Sequence, residues 1–178
     1  MPYVKSNLAP FTFGIDMQNC KAAIPGDGNV PLSLTYSRDL ARFVVRTLDL
    51  DEWPEFSIGV GDDLTFNQML RLAEEARGKF AGSSHLIRND ELILVVGKGF
   101  QVTYDSVEKI NDGEVTMLPI PKDAPFSEDE MKEYNVLIGQ LTVREAFHVQ
   151  TENRLNSKFP DLVPLNFQQF LDEAWRGR

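Results

Sequence analysis

The 178-residue sequence predicts a mixed α/β fold, and three stretches predict it. Leu32–Tyr36 alternates as a strand does, and Ser37–Leu48 follows with Leu40, Phe43, Val44 and Leu48 at helical spacing. Phe56–Val60 is a short apolar run that leads through Gly59-Val60-Gly61 into a helical pattern over Phe66–Arg77. Gln101–Tyr104 alternates again, and amphipathic segments follow it. The length suits one domain with a real core, or part of a larger protein.

Each element has a local cause. Residues 1–31 are rich in Pro, Gly and Asn and read as loop, with short extended pieces around Phe11–Ile15. Pro25-Gly26-Asp27-Gly28-Asn29 is a turn by composition. Ser37 stands where a cap would begin the first helix, and Asp39 falls in its first turn, near the positive end of the helix dipole. The second helix is the clearest. Phe66, Met69, Leu70 and Ala73 share one face, Thr65 and Gln68 have capping-box spacing, and Gly78 is the expected stop. Ser127 and Glu130 repeat the capping box at the start of a further helix. Thr142 and Glu145 repeat it again and predict a separate helix after Gly139. Asn166 and Gln169 frame a last helix whose face is Phe167, Phe170, Leu171, Ala174 and Trp175.

Composition excludes several classes of function. A net charge of −9 with no basic stripe argues against a nucleic-acid partner and against an anionic membrane surface. No apolar run approaches the roughly 20 residues that span a bilayer, so no membrane partner is expected. The residues from Met1 to Phe11 lack the apolar centre of a signal peptide. The one cysteine, Cys20, has no internal disulfide partner, which suits a reducing compartment; the expected location is cytoplasmic.

Three G-x-G pairs raise the question of a phosphate cradle: Gly26/Gly28, Gly59/Gly61 and Gly97/Gly99. A dinucleotide turn needs a third glycine three residues on, for close packing of helix on strand. Those positions hold Pro31, Leu64 and Val102, so all three pairs fail. Asp62 and Asp63 would also repel a pyrophosphate placed after Gly61. The simpler reading is a strand-to-helix joint, capped by Thr65. Other chemistry is equally sparse. His85 and His148 lie far apart, with no ligand at metal-binding spacing. No tyrosine has a lysine four residues on, and no G-x-S-x-G elbow occurs. Glu128, Asp129 and Glu130 read as a solvated helix start. The residues therefore present no catalytic, cofactor-binding or metal-binding constellation.

The order of segments nevertheless resembles the C-terminal part of NmrA-like proteins, the atypical short-chain dehydrogenases that include isoflavone reductases. The stretches that carry it are KAAIPGDGNVPLSLTYSRDLARFVVRTLDL (Lys21–Leu50), DEWPEFSIGVGDDLTFNQMLRLAEEARGK (Asp51–Lys79), QVTYDSVEKI (Gln101–Ile110) and FPDLVPLNFQQFLDEAW (Phe159–Trp175). The P-G-D-G turn, the T-Y-x-R-D-x-A-R-F helix start and the tryptophan before the strand look most like fungal members. The resemblance implies a Rossmann-type NmrA-like fold, of which residues 1–178 supply the last strand or two and most of a small α+β substrate lobe. In that family a preceding nucleotide-binding half carries the glycine-rich turn for NADP(H) and, in the reductases, a catalytic lysine. Neither has a counterpart here, so the N-terminal dinucleotide-binding half is expected to be largely absent, and no family cofactor or catalytic residue carries over. One departure lies inside the match: residues 80–99 interrupt a pattern that would run from Lys79 almost directly to Gln101. They read either as a surface insertion, a hairpin with Glu91–Val96 as one strand, or as translated intron. The apolar run Leu92–Val96, without an evident partner, favours the second.

Two functions of different class follow from the resemblance. One is an NADP-dependent reductase acting on a small, secondary-metabolite-type molecule, here in a truncated and cofactor-incompetent form. The other is a non-catalytic regulatory or interaction protein, or an inactive remnant. For a small-molecule substrate, the residues to watch are Phe11 and Phe13 in an aromatic loop, and Tyr36 and Arg38 near a strand end, because ligands of open α/β sheets sit outside the carboxyl ends of strands. Ordinary core packing is the competing role for Phe11 and Phe13.

Overall fold

The computed structural model describes residues 13–77, 85–88, 91–94, 99–120 and 124–175, with backbone alone for 85–88 and 91–94. Its elements run β1 (Ile15–Asp16), β2 (Lys21–Pro25), β3 (Pro31–Leu34), α1 (Ser37–Thr47), β4 (Asp62–Thr65), α2 (Phe66–Ala76), β5 (His85–Arg88), β6 (Glu91–Leu94), β7 (Gln101–Asp105), α3 (Val107–Asn111), α4 (Glu128–Val143), α5 (Leu155–Lys158) and α6 (Phe167–Trp175). Mixed helices and strands were expected, and the described residues form them.

Three small sheets replace one large one among the described residues. β2 is the middle strand of the first, antiparallel to β1 and parallel to β7 in a register that runs from Lys21↔Gln101 to Pro25↔Asp105. β3 and β4 pair antiparallel, Leu32 opposite Leu64. β5 and β6 pair with each other, Leu86 opposite Ile93. The hairpin lies within residues 80–99, and Glu91 begins its second strand; residues 80–84, 89, 90 and 95–98 are outside the described residues.

One core joins the first two sheets to two helices. Ile15, Ala22 and Ile24 from the first sheet and Leu32 from the second pack with Phe66, Met69, Leu70 and Ala73 of α2 and Leu171, Ala174 and Trp175 of α6. These are the helix faces that the 3.6-residue spacing picks out. A smaller cluster holds Phe43 of α1 against Leu155, Phe159 and Leu162.

The helix ends follow their caps, with instructive exceptions. Thr65 accepts from the Gln68 N–H and Gln68 returns a bond to the Thr65 N–H, and Ser127 and Glu130 do the same. Asn166 and Gln169 exchange the same pair of bonds at α6. Ser37 does not cap α1. The cap is Tyr36, whose carbonyl accepts from the Asp39 and Leu40 N–H groups with no side-chain bond. No separate helix starts directly after Gly139 either: α4 runs unbroken to Val143. Thr142 Oγ1 donates to the Ile138 carbonyl at 2.8 Å, a bond back along the same helix, instead of capping a new one. Ile110 of α3 packs against Gly139, 3.2 Å from where a Cβ would stand. Phe56–Val60 is not a strand: it makes one bridge, Ile58 to Arg154. Side chains meet others: Asn156 accepts from the Val60 N–H at 3.0 Å and donates to its carbonyl at 2.7 Å, and Thr35 Oγ1 donates to the Gly59 carbonyl at 2.8 Å. Residues 1–31, expected as loop, contain β1 and the five-residue β2. Phe11, Thr12 and Gly78 lie outside the described residues.

Replacing the α2 cap tests this account of the fold. Thr65→Ala is expected to lower stability by about 1 kcal/mol, the usual loss for a cap, read as a shift in urea midpoint with unchanged slope. An unshifted midpoint would mean that tertiary packing alone sets where α2 begins.

Candidate functional site

The Gly59-Val60-Gly61 joint is a packing device. A Cβ on Gly59 would lie 2.5 Å from the Phe43 ring, and one on Gly61 3.0 Å from the Leu34 carbonyl oxygen and 3.2 Å from that of Leu165. Both glycines let other groups come close, but those groups are protein and already fill the space. The acids beyond them are also engaged. Asp62 accepts from the Phe167 N–H at 3.1 Å, which places a carboxylate at the start of α6, where the helix dipole favours it. Asp63 accepts from Arg154 through both guanidinium amino groups, at 2.5 and 3.2 Å, and from the Ser33 hydroxyl at 2.5 Å. The two acids thus serve α6 and Arg154, not the helix start directly after them. Moreover β4 lies between the glycines and α2, so no glycine turn opens onto that helix. These residues do not fit a dinucleotide pyrophosphate, and no chemical step is drawn through one.

The second G-x-G pair is structural as well. Gly26 and Gly28 both have positive φ, 63° and 75°, as the turn requires. A Cβ on Gly28 would come 2.6 Å from Asn67 Oδ1. Asn67 donates to the Asp27 carbonyl and to Asn29, and accepts from the Tyr104 hydroxyl at 2.9 Å, which pins the turn to α2 and β7.

The concave feature nearest to a site lies at the carboxyl ends of the parallel pair β2 and β7. Ala23, Pro25 and Asp105 form its floor, Phe13 and Phe66 one wall, and α3, α4 and the segment 115–120 the rest. The cavity is about 50 Å³, room for a few waters and well short of the roughly 300 Å³ at which ligand pockets begin. Most of its lining is apolar. Its fixed polar point is Asp105, 4% exposed. Asp105 accepts from Lys109 Nζ at 2.6 Å, from the Thr116 N–H at 2.6 Å and from the Thr116 hydroxyl at 2.7 Å. Burial pushes this carboxyl up, but the bonds from Lys109 and Thr116 outweigh it and hold it below the ordinary 3.8. Asp105 therefore stays an anion that ties segment 115–120 to β7. A general base would need a value raised toward neutrality.

The residues expected to bind substrate are not brought together. Phe13 lines the cavity, its ring 5.3 Å from that of Phe66 and 6.3 Å from that of Phe147. Tyr36 packs on Phe170 of α6, ring centroids 5.8 Å apart, and Arg38 is exposed on α1. Phe11 lies outside the described residues. Sequence reasoning passed over Asp105 and Thr116; an acid closing a strand, followed eleven residues later by a threonine, is too common a pattern to single out. Among the described residues, no group of three or more His, Cys, Asp or Glu could hold a metal ion, and no helix is long and apolar enough to cross a membrane.

Comparison with known proteins gives a consistent set of relatives. The chain is 29% identical over 177 residues to the oxidoreductase swnN of Arthroderma benhamiae, covering 94% of this chain and 54% of that protein. It is 27% identical over 177 residues to the oxidoreductase swnN of Metarhizium robertsii, covering 94% of this chain and 45% of the relative. A shorter match, 35% over 79 residues, is to the oxidoreductase BOA1 of Botryotinia fuckeliana, covering 44% of this chain and 26% of that protein. The chain thus spans about half the length of the two swnN proteins, and all three relatives are fungal proteins named oxidoreductases. No family model matches the chain. No solved structure matches it.

Two measurements test the site as described. Gly59→Ala is expected to cost about 1–3 kcal/mol, the usual range for overpacking, because the new methyl meets the Phe43 ring. A loss of ligand affinity without that cost would return the joint to a binding role. Asp105 sets a pH dependence. Its native value is depressed, so its stabilising effect is complete above about pH 5 and fades as pH falls through 3.8 toward the native value. The stability advantage of the wild type over Asp105→Asn should be flat from pH 7 to about 5 and shrink below about 4 in urea titrations. An advantage independent of pH would show that the carboxylate charge contributes nothing.

Proposed function

We propose that this chain is the substrate-side portion of an oxidoreductase of the NmrA-like, isoflavone reductase-like type, acting with NADP(H) on a small secondary-metabolite-type molecule. The observation that carries the proposal is that two fungal proteins named oxidoreductases align with 94% of the chain. The segment order Lys21–Leu50, Asp51–Lys79, Gln101–Ile110 and Phe159–Trp175 supports the finer family reading. So does a cavity with apolar walls at the carboxyl ends of β2 and β7, the side of an α/β sheet where ligands collect. At about 50 Å³ that cavity would have to widen before it could take a substrate, and the irregular segment 115–120 is the wall free of helix or strand.

Hydride transfer needs the nicotinamide within about 3–3.5 Å of its acceptor. In this proposal the chain's residues shape the acceptor side, and the dinucleotide is held by a glycine-rich turn of the kind the family carries in its other half. A non-catalytic interaction role is the second reading, and the apolar outer face of α1 favours it.

Calorimetric titration with NADPH, with NADH as control, separates the readings. The 178-residue chain is expected not to bind either dinucleotide tightly. A fusion that places the unmatched half of the Arthroderma benhamiae relative before this chain is expected to bind NADPH. Micromolar binding by the chain alone would overturn the assignment of the dinucleotide to another half. A fusion that folds yet never binds would favour the interaction role.

A further inference from the structure

Helix α1 has two apolar faces, and the fold covers only one. At about 100° per residue, Asp39 and Phe43 mark the buried side. Leu40, Ala41, Val44, Val45 and Leu48 fall on the opposite side, in a stripe about 140° wide. Four of them are large and open to solvent: Leu40 is 48% exposed, Val44 58%, Val45 62% and Leu48 68%. A contiguous exposed apolar stripe of this kind marks an interaction surface. The stripe also has the anatomy of an interface. Ion pairs frame it, Arg42 with Asp39 and Arg46 with both Asp49 and Asp161, as a polar rim frames an apolar centre. Val163, whose carbonyl accepts from Arg42 at 3.4 Å, extends the apolar area and is itself 73% exposed. Beside the stripe, Ala41, Val45 and Leu162 line an open depression together with Arg42, Arg46 and Asp161.

The charges choose the occupant. Arg38 stands exposed at the start of α1, and Asp49, Asp51 and Glu52 stand exposed just past its end. A second copy laid antiparallel places each Arg38 opposite the other copy's acids and opposes the two helix dipoles; a parallel copy would set like charges together. A patch that is basic at one end, acidic at the other and apolar between is self-complementary, which is what a two-fold contact requires. We propose that the chain forms a two-fold homodimer in which the outer faces of α1 pair antiparallel, with the axis passing near Val44. Each copy carries a net charge of −9, so the two repel at a distance, and the opposite charges at the helix ends fix the approach.

Light scattering behind size-exclusion chromatography tests the pairing, with the expected mass twice the 20.2 kDa of one chain. Val44→Glu should raise the dimer dissociation constant at least about tenfold without shifting the unfolding midpoint, since Val44 touches no core cluster. Arg38→Glu should weaken the dimer, and Arg38→Glu combined with Asp51→Lys should restore it. The axis has its own signature. Val44→Cys in a Cys20→Ser background should give a disulfide-linked dimer with oxidised glutathione as oxidant, and Lys132→Cys on α4 should not. A monomer at every concentration, a dimer indifferent to Val44→Glu, or failure of Val44→Cys to cross-link would each overturn the proposal. So would a chain that stays monomeric and has α1 protected from hydrogen exchange only when fused to the unmatched half of a swnN relative, because the face would then belong to another domain.

Discussion

The bidentate pair between Arg154 and Asp63 is the contact on which the rest of the described structure depends. Between the end of α4 and the start of α6 the chain has only the single-turn α5, so it cannot hold its own path. Carboxylates from the front half hold it. Asp63, on β4, grips Arg154, whose guanidinium also donates to the Val149 carbonyl and whose Nε donates to that of Gln150. Ser33 on β3 donates to the same carboxylate and accepts from the Val149 N–H. Burial pushes Asp63 up, but the Arg154 and Ser33 bonds prevail and hold it below its ordinary value, as expected of an acid that must remain charged.

Two more carboxylates repeat the device further along. Asp39, buried in α1, accepts from the Leu165 N–H, 126 residues later in the chain. Asp62 accepts from the Phe167 N–H and so begins α6. Once α6 starts there, its face with Leu171, Ala174 and Trp175 closes over α2 and completes the main core. Breaking one partner of such a pair leaves a partly buried charge with nothing to balance it, which costs more than the pair itself contributes. A chain with a net charge of −9 therefore uses several of its acids as internal fasteners, and its overall charge says more about partners than about folding.

What could be read from the sequence was local. Three reciprocal caps, at Thr65, Ser127 and Asn166, depend on residues three apart, and all three formed. The apolar faces of α2 and α6 depend on spacing within one helix. What could not be read was the work of partners distant in sequence. Lys21–Pro25 became a central strand because Gln101–Asp105 lies beside it, and nothing in K-A-A-I-P announces that neighbour. Thr142 and Glu145 had cap spacing, but α4 runs unbroken to Val143 with the Thr142 hydroxyl bonded back to Ile138. The neighbours of Gly59 and Gly61, namely Phe43, Leu34 and Leu165, are tertiary and could not be read from the G-V-G spacing. Phe13, read as part of an aromatic loop, lies on the cavity wall. Asp105 and Thr116 were not, because their significance lies in a hydrogen-bond triangle with Lys109.

The same geometry separates two surfaces that a functional reading could easily merge. The cavity beyond β2 and β7 is lined by β1 and β2 neighbours, α2, α3 and α4, and no residue of α1 reaches it. The outer face of α1 is braced from behind by Phe43 on Leu155, Phe159 and Leu162, a cluster separate from the main core. A contact made on α1 would thus leave the cavity open, and a ligand in the cavity would not need α1 to move. Asp39 ties α1 to the start of α6 through the Leu165 N–H, and α6 packs in the same core as Phe66, so the two surfaces are linked through buried contacts. Phe66 is fully buried in that core and also forms part of the cavity wall, and its ring leaves no room for a Cβ at Gly14. Opening the cavity on that side would mean moving a fully buried core ring. Segment 115–120 has neither helix nor strand, lies outside that core, and is held by Asp105 of β7 and by Asn135 of α4, so it can give way without moving the Phe66 ring.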